Sequence, residues 1–179
     1  MPQAVTHFLI PAIIVALWRD YYRRKNKEKF PLHYVLIAGL AGLLPDIDIL
    51  AYSVLNFFGF SFWDVHRTIT HSFFFPLFFL LLFFIFSKTK IKALGKHEMT
   101  LHGIFLVIAF GTFMHLVLDW ALSGAIMPFY PISGIKIGLN LVGKLPSPFD
   151  NMVIPILDAA LLILWMIYME LKHKLSDFI

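Results

Sequence analysis

The sequence predicts an all-α, polytopic integral membrane protein, and three observations carry that reading. The chain of 179 residues is 59% hydrophobic and only 15% charged, against about 45–50% and about 25% in an ordinary soluble domain. Its mean hydropathy is +0.79. The apolar residues fall in long runs separated by short basic blocks, the pattern of membrane spans with flanking charges. About five transmembrane helices are expected, in a single domain over residues 1–179, with a non-helical loop or lid on the outer face.

The first apolar segment runs from Ala4 to Trp18, and the basic block that follows it is the reverse of a secretory signal peptide. The second covers Leu32 to Phe58 and is interrupted near Pro45. The third covers Ser72 to Phe86, the fourth Leu101 to Ala121, and the fifth Val153 to Leu171. Segments one and three are short against the roughly 20 residues of a full crossing. Between segments four and five, Met127 to Pro148 is rich in Pro and Gly. It contains the alternation Ile-Lys-Ile-Gly-Leu-Asn-Leu, which suggests a short hairpin or lid.

Basic residues set the expected orientation. Arg19, Arg23, Arg24, Lys25, Lys27 and Lys29 follow segment one, Lys88, Lys90, Lys92 and Lys96 follow segment three, and Lys172 and Lys174 follow segment five. That puts twelve of the fifteen Lys and Arg on one side and leaves Arg67, Lys136 and Lys144 for the other. The positive-inside rule then places the N-terminus outside and the C-terminus in the cytoplasm of an inner or plasma membrane. The same distribution argues against nucleic acid as a partner; the partner expected is the lipid bilayer.

With this topology, His7, Asp46, Asp48, His66, His71, His115 and Asp119 all fall at the extracytoplasmic end, although the chain alternates in direction. His33, His97, His102 and His173 fall at the other. Ionisable groups at membrane depth are costly and read as a site. His115 and Asp119, four apart on a helix, share a face. Pro45 lets Asp46 and Asp48 both turn inward. Ser72 is a candidate N-cap that would leave His71 in the preceding turn, beside a helix N-terminus that favours an anion. Cys is absent, so any metal must sit on imidazole and carboxylate. Such ligands suit zinc first, and also manganese, iron or nickel, as one or two ions. Arg67 has the planar fork that holds phosphate or carboxylate, so a phospholipid or other anionic substrate is in view. His66 could be a ligand or a general acid. Asp158, inside segment five, is expected to support a His or Arg67, while Asp64 and Asp150 read as solvated.

At these residues the chain resembles the YdjM-like family of membrane-bound metal-dependent hydrolases. The match consists of Thr6-His7, Leu44-Pro45-Asp46-Ile47-Asp48, His66-Arg67-Thr68-Ile69-Thr70-His71-Ser72, His115-Leu-Val-Leu-Asp119 and Pro128-Phe129-Tyr130-Pro131. The resemblance implies a divalent metal site on His7, Asp46, Asp48, His66, His71, His115 and Asp119, and hydrolase activity. The order of ligands is also similar, more loosely, to the all-helical zinc phospholipase C enzymes, which suggests a phosphoester. On this reading His66, Arg67 and Asp48 carry the catalytic roles. The rival is a metal- or proton-coupled transporter, which would need polar residues continuing toward the cytoplasmic side. A third reading is a structural protein whose metal only locks its helices.

Overall fold

The computed structural model describes residues 4–26, 30–87 and 99–174. Lys27, Lys29, Lys88, Lys90, Lys92, Lys96 and His97 lie outside them, and the side chains of Asp64 and His173 are not described. Among the described residues the chain is helical, with no strand. The principal helices are α1 (Ala4–Asn26), α2 (His33–Ala41), α3 (Asp48–Leu55), α4 (Phe62–Val65), α5 (Phe74–Ser87), α6 (Leu101–Leu118) and α7 (Phe149–His173).

Three helical stretches are long and apolar enough to cross a membrane: Ala4–Lys25, Leu101–Leu122 and Phe149–Lys172. A fourth crossing is available if α2 and Leu44–Phe58, bent by 52° relative to each other, act as one broken span. The five expected crossings are therefore not all present as full-length helices. Segment one is longer than its apolar run: α1 continues through Arg19-Asp20-Tyr21-Tyr22-Arg23-Arg24-Lys25, which contains no Gly or Pro to stop it. Segment three stays short, since α5 has 14 residues, or about 21 Å of axis against about 30 Å of hydrocarbon.

Helices α1 and α7 run in the same direction, as Thr6 meets Asp158 at one end and Asp20 meets Lys172 at the other. α2 and α6 run the opposite way, with Tyr34 against Thr100 at their starts and Gly42 against His115 at their ends. Thr100 caps α6 by accepting from the Gly103 amide at 3.3 Å. Small residues allow close approach: a Cβ on Gly111 would lie 2.5 Å from the Ala38 carbonyl and 2.7 Å from the Ala41 Cβ. The buried core at the basic end is apolar, formed by Ala12, Val15, Ala16, Val35, Ala38 and Val107. Leu77, Phe84, Ile163 and Leu164 are exposed on α5 and α7, as expected of helices solvated by lipid.

The expected hairpin reduces to one antiparallel pair, Ile126 with Ile137. The alternating stretch bonds elsewhere. Leu139 and Leu141 donate their amides to the Trp120 and Ala121 carbonyls in the π-helical turn that ends α6. Those carbonyls lie past the last regular turn and need donors from outside the helix.

Candidate metal centre

Four segments meet at the end of the bundle away from Arg23, Arg24 and Lys172: the start of α1, the turn Leu44–Ile47 with the start of α3, residues 66–71, and the end of α6. Each has a local reason for its shape. Pro11 cannot donate to the His7 carbonyl, and Gly42 packs against that carbonyl so closely that a Cβ would lie 2.0 Å from its oxygen. Pro45 starts a short 3-10 turn, placing Asp46 in the turn and Asp48 at the first position of α3. Arg67 adopts a left-handed backbone, φ 63°, and its amide donates to Asp48 Oδ2 at 3.2 Å. A non-glycine residue held there is a local cost that often accompanies a functional site. The π-helical turn Asp119–Ser123 follows α6, another feature common at functional sites.

His71 stands at the middle with a fully buried side chain. Its Nδ1 faces Asp48 Oδ2 at 3.3 Å, while its Nε2 faces Asp46 Oδ1 at 3.5 Å and Asp119 Oδ2 at 3.6 Å. Burial pulls its pKa down, but hydrogen bonding to Asp46 and Asp48 and the nearby charges outweigh that, and the net shift is upward. Asp48 is itself held by Thr70 Oγ1 at 2.9 Å and pairs with His66 Nδ1 at 2.9 Å. It therefore orients two imidazoles at once.

His115 Nδ1 lies 2.7 Å from the Gly42 carbonyl. Only a protonated nitrogen can make that bond, so in the neutral ring His115 Nε2 carries the lone pair. It points at His71 Nε2, 3.1 Å away, with Asp46 Oδ1 at 3.7 Å and Asp119 Oδ2 at 3.9 Å. His71 Nε2 and His115 Nε2 lie at hydrogen-bonding distance from each other, with carboxylate oxygens of Asp46 and Asp119 nearby. Either a proton or a cation can occupy that space. With both rings neutral and protonated on Nδ1, the two Nε2 lone pairs repel unless a cation lies among them. Asp46, His71 and His115 each offer a ligand atom within 4.8 Å of the others, a donor set that could hold a divalent ion. Asp119 Oδ2 approaches the two imidazoles from beside that set.

Two further groups overlap this one. His7, His115 and Asp119 each offer a ligand atom within 4.8 Å of the others, as do Asp48, His66 and His71. His7 Nε2 is 3.5 Å from Asp119 Oδ1, and neither nitrogen of this buried ring makes a hydrogen bond. His66 Nε2 is likewise buried without a hydrogen bond. Arg67 reaches in from the side, with Nη2 3.2 Å from Asp119 Oδ2.

All seven residues expected to form the site are thus within one cluster, with Arg67 beside them. Ser72 departs from expectation: its hydroxyl donates to the Ile69 carbonyl at 2.8 Å, and α5 starts two residues later at Phe74. Asp158 also departs. It accepts from the Thr6 amide at 2.9 Å and from the Thr6 hydroxyl, so it caps α1 from across the bundle and supports neither a His nor Arg67. Asp150 bonds the adjacent Asn151 in the first turn of α7, and Lys136 and Lys144 are exposed. Two partners were not anticipated, the Gly42 carbonyl behind His115 and the Thr70 hydroxyl on Asp48. Thr70 lies inside the His-Arg-Thr-Ile-Thr-His motif, so a signal for it existed.

Fold and site together define an all-helical integral membrane protein with a buried His–Asp centre at one end of its bundle. The chain belongs to the YdjM inner membrane protein family, whose model matches residues 1–174. A search of curated proteins and a search of solved structures each found no match.

Proposed function

We propose that this protein is a divalent-metal-dependent hydrolase of the inner membrane, cleaving an ester or phosphoester at the extracytoplasmic end of its helices. The observation that supports the reading is the convergence of buried His71 Nε2 and His115 Nε2 on Asp46 Oδ1, with Asp119 Oδ2 close to both imidazoles. These four would hold the ion, zinc first among the candidates, and His7 extends the donor set beside His115 and Asp119. When bound, a divalent ion supplies an activated water and charge neutralisation for the leaving oxygen. Asp48 fixes the ring planes of His66 and His71. His66, with Nδ1 on Asp48, is placed to give a proton to the leaving group from Nε2. Arg67 holds the anionic group of the substrate. The orientation rests on the basic residues beyond α1 and α7.

A transporter reading finds less support, because the core between this centre and the basic end is mostly small and apolar, as at Ala12, Val15, Ala16 and Ala38, with Thr112, Tyr34 and Arg19 as separated buried polar side chains. The deciding experiment is metal content of the detergent-purified protein beside His71→Ala and Asp119→Ala, followed by turnover of phosphoesters. Metal in the wild type that is lost in both variants, with turnover that follows the metal, is the expected result. A wild type that takes up neither zinc nor manganese would remove the hydrolase reading.

A further inference from the structure

We propose that Gly124 and Gly138 are positioning residues for Arg67: they let residues 137–141 lie directly on the chain that follows Asp119, and so fix the guanidinium beside that carboxylate before any substrate arrives. The proposal deepens the reading of Arg67 as the group that holds the substrate's anion, and for that role it rests on the hydrolase read above.

Arg67 needs such a device. Ordering a side chain of that length costs entropy, which weakens anion binding when it is lost on association and not when it is lost on folding. The left-handed backbone at Arg67, φ 63°, is held by the bond from its amide to Asp48. That bond fixes where the side chain starts, not where it ends. At the far end Nη2 lies 3.2 Å from Asp119 Oδ2, and Nη1 lies 3.5 Å from the Ala125 carbonyl oxygen, a long bond. Both partners belong to residues 119–125, so the place of the guanidinium depends on what fixes that stretch.

The stretch is a π-helical turn, Asp119–Ser123, followed by Gly124 at φ 131° and ψ −144°, a backbone region open essentially to Gly alone. Residues 137–141 tie it down at both ends. Leu139 and Leu141 donate to the Trp120 and Ala121 carbonyls at 2.7 and 3.0 Å, while Ile126 and Ile137 exchange amide bonds at 2.9 and 3.0 Å. Between these two sets of bonds the backbones touch. A Cβ on Gly138 would overlap the Gly124 carbonyl and lie 2.9 Å from the Ala125 Cα. A Cβ on Gly124 would lie 3.2 Å from Arg67 Nη1. Residues 137–141, Gly124 and the guanidinium thus form one continuous set of contacts, with no room for a side chain at either glycine. Contacts made on folding in this way hold a charged group ready for its partner.

The test is modification of arginine by phenylglyoxal on the full chain in detergent, with sites mapped and timed by mass spectrometry. Arg23 and Arg24 are exposed and give the rate of an unrestrained guanidinium. Arg19, buried with its Nε on the Phe30 carbonyl, reports whether the opposite end of the fold is intact. In the wild type Arg67 should react about tenfold more slowly than Arg23 and Arg24, the weight of one charge-assisted hydrogen bond. Gly138→Ala should raise its rate to theirs while Arg19 stays slow. Gly134→Ala, whose Cβ meets nothing within 4 Å, should leave it unchanged. Should Gly138→Ala not fold, Gly124→Ala applies the same test at the guanidinium itself. A wild-type Arg67 as reactive as Arg23 would overturn the proposal, as would a folded Gly138→Ala in which Arg67 stays slow. So would Arg67 and Arg19 speeding up together, since the glycines would then only hold the fold. Inorganic phosphate separates this proposal from the reading it rests on. Protection of Arg67 by phosphate in the wild type, weakened about tenfold in Gly138→Ala, supports both. Release of Arg67 by Gly138→Ala without protection by phosphate in the wild type supports the positioning and removes the anion-holding role.

Discussion

Gly42→Ala is the substitution that most directly tests whether the centre depends on how α1 and α2 pack. The new Cβ would lie 2.0 Å from the His7 carbonyl oxygen and 2.9 Å from Pro11 Cγ. Reaching even a tight 3.0 Å contact requires about 1 Å of separation, and the obstacle is backbone, which cannot swing aside. Overpacking of this kind costs about 1–3 kcal/mol. The consequence for function is larger than the cost in stability, because His7 moves with its own carbonyl and Gly42 also holds His115 Nδ1. Ligand positions must be kept within about 0.2 Å of their ideal distances. A displacement several times that size should weaken metal binding by about 10–100-fold, the range seen when orienting groups are lost. The assay is competition with a chromophoric zinc chelator in detergent, with thermal unfolding recorded with and without EDTA. Gly134→Ala is the control, since a Cβ there meets nothing within 4 Å. Unchanged affinity and unchanged unfolding temperature in Gly42→Ala would refute the claimed contact.

Other outcomes can be stated more briefly. Asp158→Ala removes the acceptor for the Thr6 amide and hydroxyl, and should lower stability by about 1–2 kcal/mol as loss of a helix cap does, read by thermal unfolding while metal content stays intact. Asp48→Asn leaves the four proposed ligands in place but loosens His66 and His71. It should weaken metal binding by about 10–100-fold in the same chelator competition, where Asp119→Ala should abolish it; equal effects would make Asp48 a ligand.

How much of this was legible in the sequence differs by level. His and Asp residues stand out against apolar runs, so the members of the centre could be read from residue type and from the alternation of basic blocks. Their pairing could not. That His71 is gripped at both nitrogens by Asp48 and Asp46 depends on the 3-10 turn after Pro45, whose pitch determines where the two carboxylates point. Arg19 shows the limit of hydropathy: it looks like the first residue of a basic loop, yet it is buried in a continuing helix with Nε bonded to the Phe30 carbonyl at 2.9 Å. Propensity carries α1 past the end of its apolar run. The alternating stretch near Ile137 reads as a strand because its pattern is period two, but its partner is the π-helical turn after Asp119, which no local pattern announces.

The charges at the centre give the sharpest prediction about pH. Counted with ionised carboxylates and neutral imidazoles, Asp46, Asp48 and Asp119 against Arg67 leave two uncompensated negative charges near membrane depth, which is strongly unfavourable. Either a divalent ion or protons on the imidazoles must offset them. His71 lies outside the spanning helices, and its folded pKa is raised above the unfolded value by its carboxylate partners. The stability it contributes to the metal-free protein is then fully present below about pH 6.5 and is lost as pH rises through the raised value. Metal binding has the opposite slope, because the ion must displace that proton. In EDTA the unfolding temperature should fall between about pH 6 and 9, while the stabilisation gained on adding zinc should grow over the same range. Parallel pH profiles with and without zinc would mean that metal and proton do not compete for His71, and the approach of His115, Asp46 and Asp119 to its Nε2 would have to be explained another way.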